Sequence, residues 1–175
     1  MERFYEQVQE KANIDIYARM AYMDTMTGLG NRTAFLEENK SNAVFPGMIS
    51  YIMVDANNLK KINDTWGHNK GDELIVTIAK CMRKAVGHNG QCYRIGGDEF
   101  VIILKNKTAA ETEEIIKQIR FEIEFADSQS DITVSVAIGH VCTDAEEKNL
   151  EELIHCADEE MYKDKKRTKE NTHSV

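Results

Sequence analysis

The sequence YRIGGDEFVIIL, residues 93–104, places two apolar runs on either side of two glycines and two acids. The runs are rich in β-branched and aromatic residues, which favour strands, and the glycines between them predict a tight hairpin. We expect positive φ at Gly96 and Gly97, because glycine enters that region without a Cβ clash. Asp98 and Glu99 follow at once, and adjacent carboxylates repel each other. They are either solvated at the hairpin tip or part of a site that uses negative charge.

The composition favours one water-soluble domain. The chain has 175 residues, of which 42% are hydrophobic and 30% charged, and this suits a single hydrophobic core. No apolar run approaches the ~18 residues that a membrane helix needs, and the charged N-terminal stretch does not resemble a signal peptide. The net charge of −8 argues against nucleic acid as a partner.

The four cysteines are at positions 81, 92, 142 and 156. They form no C-x-x-C pair, which argues against a zinc site or a thioredoxin-like site. Each lies in or beside an apolar segment. We therefore expect small buried thiols in a reducing compartment, and a cytoplasmic location.

The hydrophobic pattern predicts helices at 1–22, 32–40, 73–86, 108–126 and 149–167, and strands at 48–55, 91–95, 100–104 and 132–141. The segment between the first strand and the second helix of the domain is polar and rich in turn formers. This order indicates an α+β domain with a mostly antiparallel central sheet flanked by helices, and a ferredoxin-like core fits it. We expect an N-terminal connector or capping helix at 1–22, the domain at 23–168 and a polar tail at 169–175.

Asp55 ends the predicted buried strand, and Asp98 opens the second arm of the hairpin. In a ferredoxin-like arrangement the two strands are neighbours, so the two carboxylates can meet at one edge of the sheet. Converging carboxylates need a cation between them, and oxygen ligands without His or Cys suit Mg²⁺ or Mn²⁺. The alternative is that Asp55 is an exposed acid at a strand end.

The polar segment that follows this strand supplies candidates for nucleotide binding. Lys60 suits a phosphate, and Asn63 with Asp72 matches the donor and acceptor pattern of guanine. The alternatives are local, with Asn63 as a turn former and Asp72 as the N-cap of a helix that begins near Glu73. His68 alone is a weak signal.

Five cations crowd together near the end of this otherwise acidic chain, at Lys163, Lys165, Lys166, Arg167 and Lys169. They are either a solvated helix end that complements the helix dipole or a clamp for phosphate groups.

Three segments together carry a resemblance to a known family. DTMTGLGNR at 24–32, VDANNLKKINDTWGHNKGDEL at 54–74 and RIGGDEF at 94–100 strongly resemble the motifs of GGDEF domains, the diguanylate cyclase family. The resemblance covers about residues 23–168. The family fold, a central sheet flanked by helices and related to nucleotide cyclases and polymerase palm domains, agrees with the predicted elements.

The resemblance implies a divalent-metal site. Asp55, Asp98 and the backbone carbonyl of Ala56 match the ligands of Mg²⁺ or Mn²⁺, with two ions per active site. Asp98 also matches the general base that acts on a 3′-hydroxyl. Glu99 matches the second acid of the signature, which supports metal binding or the transition state.

The resemblance also implies contacts with a guanine base. Asn63 and Asp72 match the pair of residues that reads guanine, and His68 lies in the same substrate-binding loop. Met26 matches an apolar residue that packs on the base.

Phosphate contacts follow from the same resemblance. Lys60 and Lys165 match lysines that contact phosphates, and Gly96 and Gly97 let the backbone approach the nucleotide. Lys169 stands where the family has an arginine. A lysine keeps the charge but loses the bidentate fork, which predicts weaker GTP binding.

The implied reaction joins two GTP molecules into cyclic di-GMP and releases two pyrophosphates. Because the 3′-hydroxyl of one GTP attacks the α-phosphate of the other, two domains must face each other as a homodimer. The N-terminal helix is the natural element to align the pair. We also expect an upstream sensory module.

Two further departures from the family pattern affect these expectations. Asn57 stands where the family often has a second aspartate after Asp55. Gly87 and Gly90 replace the R-x-x-D motif that binds inhibitory product, which predicts that this feedback is missing. The alternative function is a catalytically weak module that binds GTP as a sensor, but the intact signature acids favour the enzyme.

Overall fold

Four antiparallel strands form the central sheet in this computed structural model. Their spatial order is β2-β3-β1-β4, and every neighbouring pair is antiparallel. The α+β fold class with an antiparallel central sheet is therefore confirmed. The strands are β1 (Ile49–Ala56), β2 (Gly90–Arg94), β3 (Glu99–Lys105) and β4 (Val136–Thr143).

From residue 32 onward, the described residues form five helices that flank the sheet: α1 (Arg32–Asn42), α2 (Leu59–Trp66), α3 (His68–Val86), α4 (Ala109–Ser128) and α5 (Leu150–Thr172). The structure describes residues 16–17, 20–42, 45–144 and 149–172, the last four by backbone alone. Of the helix predicted at 1–22, residues 16–17 and 20–22 are helical, and the rest lies outside the described residues. Among the described helices, none is long and apolar enough to cross a membrane.

One face of the sheet packs against α3 and α4. Ile52 and Val54 of β1 share a core with Leu74 and Ile78 of α3 and with Ile119 of α4. Successive strand residues point to opposite faces, so the even-numbered residues of β1 supply this side.

The opposite face packs against α1 and α5. Tyr51 of β1 shares a second core with Phe35 of α1 and with Ala157 and Met161 of α5. Gly139 of β4 allows the close approach of α5, because a Cβ there would lie 2.0 Å from the backbone nitrogen of Met161. With helices on both faces, all eight residues of β1 are buried, as its continuous apolar run predicts.

The polar segment after β1 is more helical than its composition suggests. It forms α2 and the first turns of α3, which begins at His68 rather than near Glu73. Asp72 therefore lies inside a helix, and its interpretation as an N-cap is wrong. The helices α2 and α3 meet at Gly67, which has a φ of 84° and separates them.

The hairpin prediction is right about the strands and wrong about the turn. Gly96 and Gly97 are not among the described residues with positive φ. The amides of Ile95 and Gly96 both donate to the carbonyl of Glu99, at 3.0 and 3.3 Å, which closes a wider loop than a two-residue turn.

The last strand is displaced from its prediction at 132–141, since β4 begins at Val136. Ile132 and Val134 are buried, but their amides donate to the side chains of Ser130 and Asp127 instead of joining the sheet. This segment therefore has the alternating burial of a strand without the backbone pairing of one.

The expectation of buried thiols holds only in part. Cys81 is buried, and Cys92 and Cys142 are partly exposed, but Cys156 on α5 is exposed. Burial raises the pKa of the Cys92 thiol to about 12, so this side chain is an unreactive part of the packing.

Candidate functional site

The segments that carry the two predicted metal ligands meet at one end of the sheet. Asp55 is the penultimate residue of β1 and pairs in register with Glu99 of β3. The amide of Ala56 donates to the carbonyl of Asp98 at 2.9 Å. Asp55 is only 6% exposed, whereas Asp98 is half-buried. The alternative of Asp55 as an exposed acid at a strand end is therefore wrong.

Negative charge is concentrated around Asp55. Burial is the main cause that raises the pKa of this carboxyl group, and the nearby charges of Asp98 and Asp158 raise it further. Lys165 opposes them through its charge and a hydrogen bond of 2.6 Å from its Nζ to Oδ1 of Asp55. A buried carboxylate among other acids is stabilised by a cation, and in this structure Lys165 supplies one.

A cavity of about 610 Å³ opens beside these carboxylates. Asp98 and Ala56 line it together with Lys60 from α2 and Lys165 from α5. Its volume lies in the range of ligand-binding pockets. Anionic and cationic side chains thus share one cleft, as a site for a metal-bound phosphate requires.

The donor set fits a hard divalent cation. Every candidate ligand is an oxygen atom, from the carboxylates of Asp55 and Asp98 and the carbonyl of Ala56. The described residues contain no cluster of three or more His, Cys, Asp or Glu side chains that could hold a metal. Such a short list of protein ligands suits Mg²⁺, which keeps several waters and binds substrate phosphates.

The candidates for guanine recognition lie outside the walls of this cavity. Asn63 on α2 has a buried side-chain oxygen that finds no hydrogen-bond partner among the described residues, and it lies next to Gly71 of α3. Asp72 and His68 are exposed on the first turns of α3. Met26 is 39% exposed in the loop before α1. The packing of α2 against α3 thus brings the elements that carry Asn63 and Asp72 together.

The signature loop has two glycines in different situations. A Cβ on Gly96 would lie 2.5 Å from Oε2 of Glu99, so the exposed side chain of Glu99 lies over this residue. A Cβ on Gly97 would meet open space. The side chain of Lys169, the predicted phosphate ligand at the end of α5, lies outside the described residues.

Arg94 is a residue of the site that the sequence reasoning missed. Its Nη2 and Nε donate to the carbonyl of Gly97 at 2.7 and 3.2 Å, and its Nη1 lies 3.3 Å from Oδ1 of Asp24. The Arg94 side chain is 13% exposed. It therefore joins the signature loop to the segment before α1. The partners are 70 residues apart, so no local pattern could have revealed the contact.

Contacts within its own loop and with Arg94 stabilise the charged form of Asp24. Burial raises the pKa of its carboxyl group, but hydrogen bonds from the amide and hydroxyl of Thr27 and the charge of Arg94 lower it more. The net effect holds the pKa of Asp24 below its ordinary value, so the carboxylate is stabilised in its charged form.

Comparison with known families gives one match that covers most of the chain. The model of "Diguanylate cyclase, GGDEF domain" matches residues 21–171. The chain is 33% identical over 154 residues to diguanylate cyclase DgcN of Escherichia coli, covering 84% of this chain and 38% of the relative. It is 34% identical over 153 residues to diguanylate cyclase DosC of Escherichia coli, covering 83% and 33%. The chain thus spans about a third of the length of these curated relatives.

Solved structures of similar proteins share the fold. The coiled coil and GGDEF domain of DgcB from Caulobacter crescentus, in complex with c-di-GMP, has a TM-score of 0.81 at 23% identity, covering 94% of this chain and 91% of that chain. The GGDEF domain of PA1120 from Pseudomonas aeruginosa has a TM-score of 0.70 at 28% identity, covering 83% and 90%. The matched residues, the sheet and the signature loop lead to one conclusion: the chain belongs to the GGDEF family of diguanylate cyclase domains.

Proposed function

We propose that this domain is a diguanylate cyclase, which condenses two GTP molecules into cyclic di-GMP and two pyrophosphates. One observation carries the proposal: the nearly buried carboxylate of Asp55 and the loop of Asp98 lie at the same end of the sheet, beside a cavity lined by three lysines. Two neighbouring acids beside cationic side chains suit the metal-bound triphosphate that this reaction needs.

Asp55, Asp98 and the carbonyl of Ala56 would hold Mg²⁺ or Mn²⁺, two ions per active site. When bound, these ions would stabilise the attacking and leaving oxygens of the displacement. Asp98 accepts the proton of the 3′-hydroxyl, whose oxygen forms a bond to the α-phosphorus of the other GTP. The bond from that phosphorus to the bridging oxygen breaks, and pyrophosphate leaves. Glu99 supports the metal or the transition state.

We assign separate groups of residues to the phosphates and to the base of GTP. Lys60 and Lys165 contact the phosphates, and both already line the cavity. Lys169 adds positive charge to the same group. Gly96 and Gly97 let the backbone of the signature loop approach the nucleotide.

The guanine base is held by residues near the helix pair α2 and α3. The side-chain amide of Asn63 and the exposed carboxylate of Asp72 form the pair that reads the base edge. The buried oxygen of Asn63 has no hydrogen-bond partner in the part of the chain that the structure describes. His68, the first residue of α3, belongs to the same substrate-binding segment, and Met26 packs on the base.

Catalysis requires two copies of the domain. Each copy holds one GTP, so a homodimer brings the 3′-hydroxyl of one substrate to the α-phosphate of the other. The N-terminal segment supports this arrangement, because Ile16, Tyr17 and Met20 are 54%, 71% and 69% exposed and offer apolar surface for a partner. An upstream sensory module would control the alignment, with the domain acting in the cytoplasm.

We expect no product feedback through an R-x-x-D motif, because Gly87 and Gly90 stand in its place. Gly87 ends α3 with a φ of 53°, which a side chain tolerates poorly. A Cβ on Gly90 would lie 2.4 Å from the carbonyl oxygen of Ile103. The backbone at both positions is therefore adapted to glycine, and added cyclic di-GMP is not expected to act there.

The test is incubation of the protein with GTP and Mg²⁺ over a range of protein concentrations. Cyclic di-GMP and pyrophosphate should form in a 1:2 ratio, since each condensation releases two pyrophosphates, and the specific activity should rise with protein concentration as the dimer forms. Asp98→Ala is the inactive control. Tight GTP binding without product at any concentration would instead support the sensor alternative.

A further inference from the structure

The contact between Lys165 and Asp55 places a protein cation on a proposed metal ligand. The Nζ atom of Lys165 lies 2.6 Å from Oδ1 of Asp55, and the two side chains are 27% and 9% exposed. A divalent ion bound to Asp55 would lie close to this ammonium group and be repelled by it. A divalent ion at this site would therefore have to displace the lysine from the carboxylate.

We propose that Lys165 is an internal counter-ion that keeps divalent metal out of the nucleotide-free site, so that metal binds together with the nucleotide. The inference rests on the proposed function, because it concerns the same metal and phosphate site. Without nucleotide, the ammonium group neutralises Asp55. With nucleotide, the phosphates attract the ammonium group and leave the carboxylate to the ion.

The surroundings of Lys165 suit this exchange. Its neighbour Asp164 fixes α5 to the sheet, because Oδ2 of Asp164 accepts from the amide of Ile138 at 2.8 Å and from Nη2 of Arg120 at 3.0 Å. The helix is thereby held in place while the lysine retains a flexible four-carbon stem. The ammonium group can turn from a carboxylate to a phosphate without movement of the backbone.

The negative charge around Asp55 favours a cation beside this carboxylate. Asp55 is influenced by the negative charges of Asp98 and Asp158 as well as by Lys165. Removal of the lysine charge leaves these acids less compensated, which increases their attraction for a divalent ion. A bound triphosphate reverses the balance, since it brings negative charge that Lys165 then stabilises.

The experiment is a titration of the nucleotide-free protein with Mn²⁺, monitored by the electron paramagnetic resonance signal of the free ion. Lys165→Gln should bind Mn²⁺ about tenfold more tightly than the wild type, a change that corresponds to ~1.4 kcal/mol. Lys166→Gln is the matched control. It removes the same charge from the next residue, whose Nζ lies over the ring of Tyr162 at 4.4 Å, and should leave the affinity nearly unchanged.

A second titration distinguishes competition from a general effect on the fold. In the presence of a GTP analogue with a non-cleavable link between the α- and β-phosphates, Lys165→Gln should bind the metal–nucleotide complex more weakly than the wild type. A reversal of sign between the two titrations supports the proposal. Lys165→Met, which keeps an aliphatic side chain, repeats both measurements if thermal melting shows that the glutamine variant is unfolded.

Equal Mn²⁺ affinity of wild type, Lys165→Gln and Lys166→Gln without nucleotide would overturn the proposal. The outcome is independent of turnover, because no GTP is consumed in the first titration. A protein that makes no cyclic di-GMP can still show the competition, and an active cyclase can lack it. Failure of this inference and failure of the proposed function are therefore separable.

Discussion

The two acids of the candidate site are held in place by different forces. Asp55 belongs to a strand in which every residue is buried between two layers of helices. Asp98 lies in a loop whose position depends on polar contacts, from Arg94 to Gly97 and from Ala56 to Asp98 itself. The first acid is therefore fixed by the hydrophobic core, and the second by hydrogen bonds that substitutions can remove without disturbing that core.

The largest effect is expected for Asp98→Asn. Loss of the proposed general base and metal ligand should lower the rate of cyclic di-GMP formation by about 10²–10⁴-fold. Because Asp98 is half-buried in a loop, the melting temperature should change little. Asp131→Asn is the control, since it removes one charge from an exposed residue paired with Lys70. A fully active Asp98→Asn variant would contradict the assigned role.

The next effect is expected for Arg94→Met, which removes the contact between the signature loop and Asp24. A misplaced Asp98 should lower the rate by roughly 10–100-fold, as displacement of a catalytic group does. Loss of charged hydrogen bonds should also lower the free energy of unfolding by ~1.5–3 kcal/mol. Steady-state kinetics and urea unfolding measure the two quantities.

Two further variants sharpen the result for Arg94. Arg94→Lys should recover part of the activity, because it keeps the charge but not the guanidinium fork. Arg83→Met removes an exposed arginine of α3 and should leave the rate unchanged. If Arg94→Met and Arg83→Met behave alike, the loop does not depend on this contact.

A smaller effect is expected from the titration of Asp24. Its pKa in the folded protein lies below the ordinary value of 3.8, so its charge stabilises the fold above that value. This contribution is lost as the pH falls through the folded pKa. The destabilisation caused by Asp24→Asn should thus be constant between about pH 7 and 5, and shrink below about pH 4. Urea unfolding across this range provides the measurement, and a difference independent of pH would be the contrary result.

The smallest functional effect is expected far from the site, at the start of α4. Thr108 caps this helix in a reciprocal arrangement with Glu111, through bonds from Thr108 N to Glu111 and from Glu111 N to Thr108. Thr108→Ala should lower the free energy of unfolding by ~1 kcal/mol. Its rate of cyclic di-GMP formation should equal that of the wild type when measured well below the melting temperature. A lowered rate would show that stability alone affects the site.

Much of the fold follows from local patterns. The continuous apolar run of β1 predicts a strand buried on both faces, and the hydrophobic pattern at 108–126 predicts α4. The hydrophobic pattern gives a wrong prediction where contacts with other elements determine the backbone conformation. Ile132 and Val134 alternate like strand residues, yet side chains of α4 and its following turn bind their amides.

The sequence predicts which residues form the candidate site better than it predicts the contacts between them. The strand end at Asp55 and the hairpin position of Asp98 predict that the two acids converge, and the sheet order places their strands side by side. The pairing of Asp55 with Lys165 joins residues 110 positions apart and has no local signal. The prediction of a two-residue turn at Gly96 and Gly97 was wrong. Hydrogen bonds to the carbonyl of Glu99 and from the side chain of Arg94 to the carbonyl of Gly97 hold a wider loop.

The central claim is that Asp55 and Asp98 share a divalent cation that carries a guanosine triphosphate. A double-mutant cycle tests it most directly, through the affinity of the non-cleavable GTP analogue in the presence of Mg²⁺ for wild type, Asp55→Asn, Asp98→Asn and the double variant. If one ion depends on both acids, the double variant should lose about as much affinity as the more affected single variant. Losses that add to within ~0.5 kcal/mol would mean that the two carboxylates act independently, and would contradict the claim.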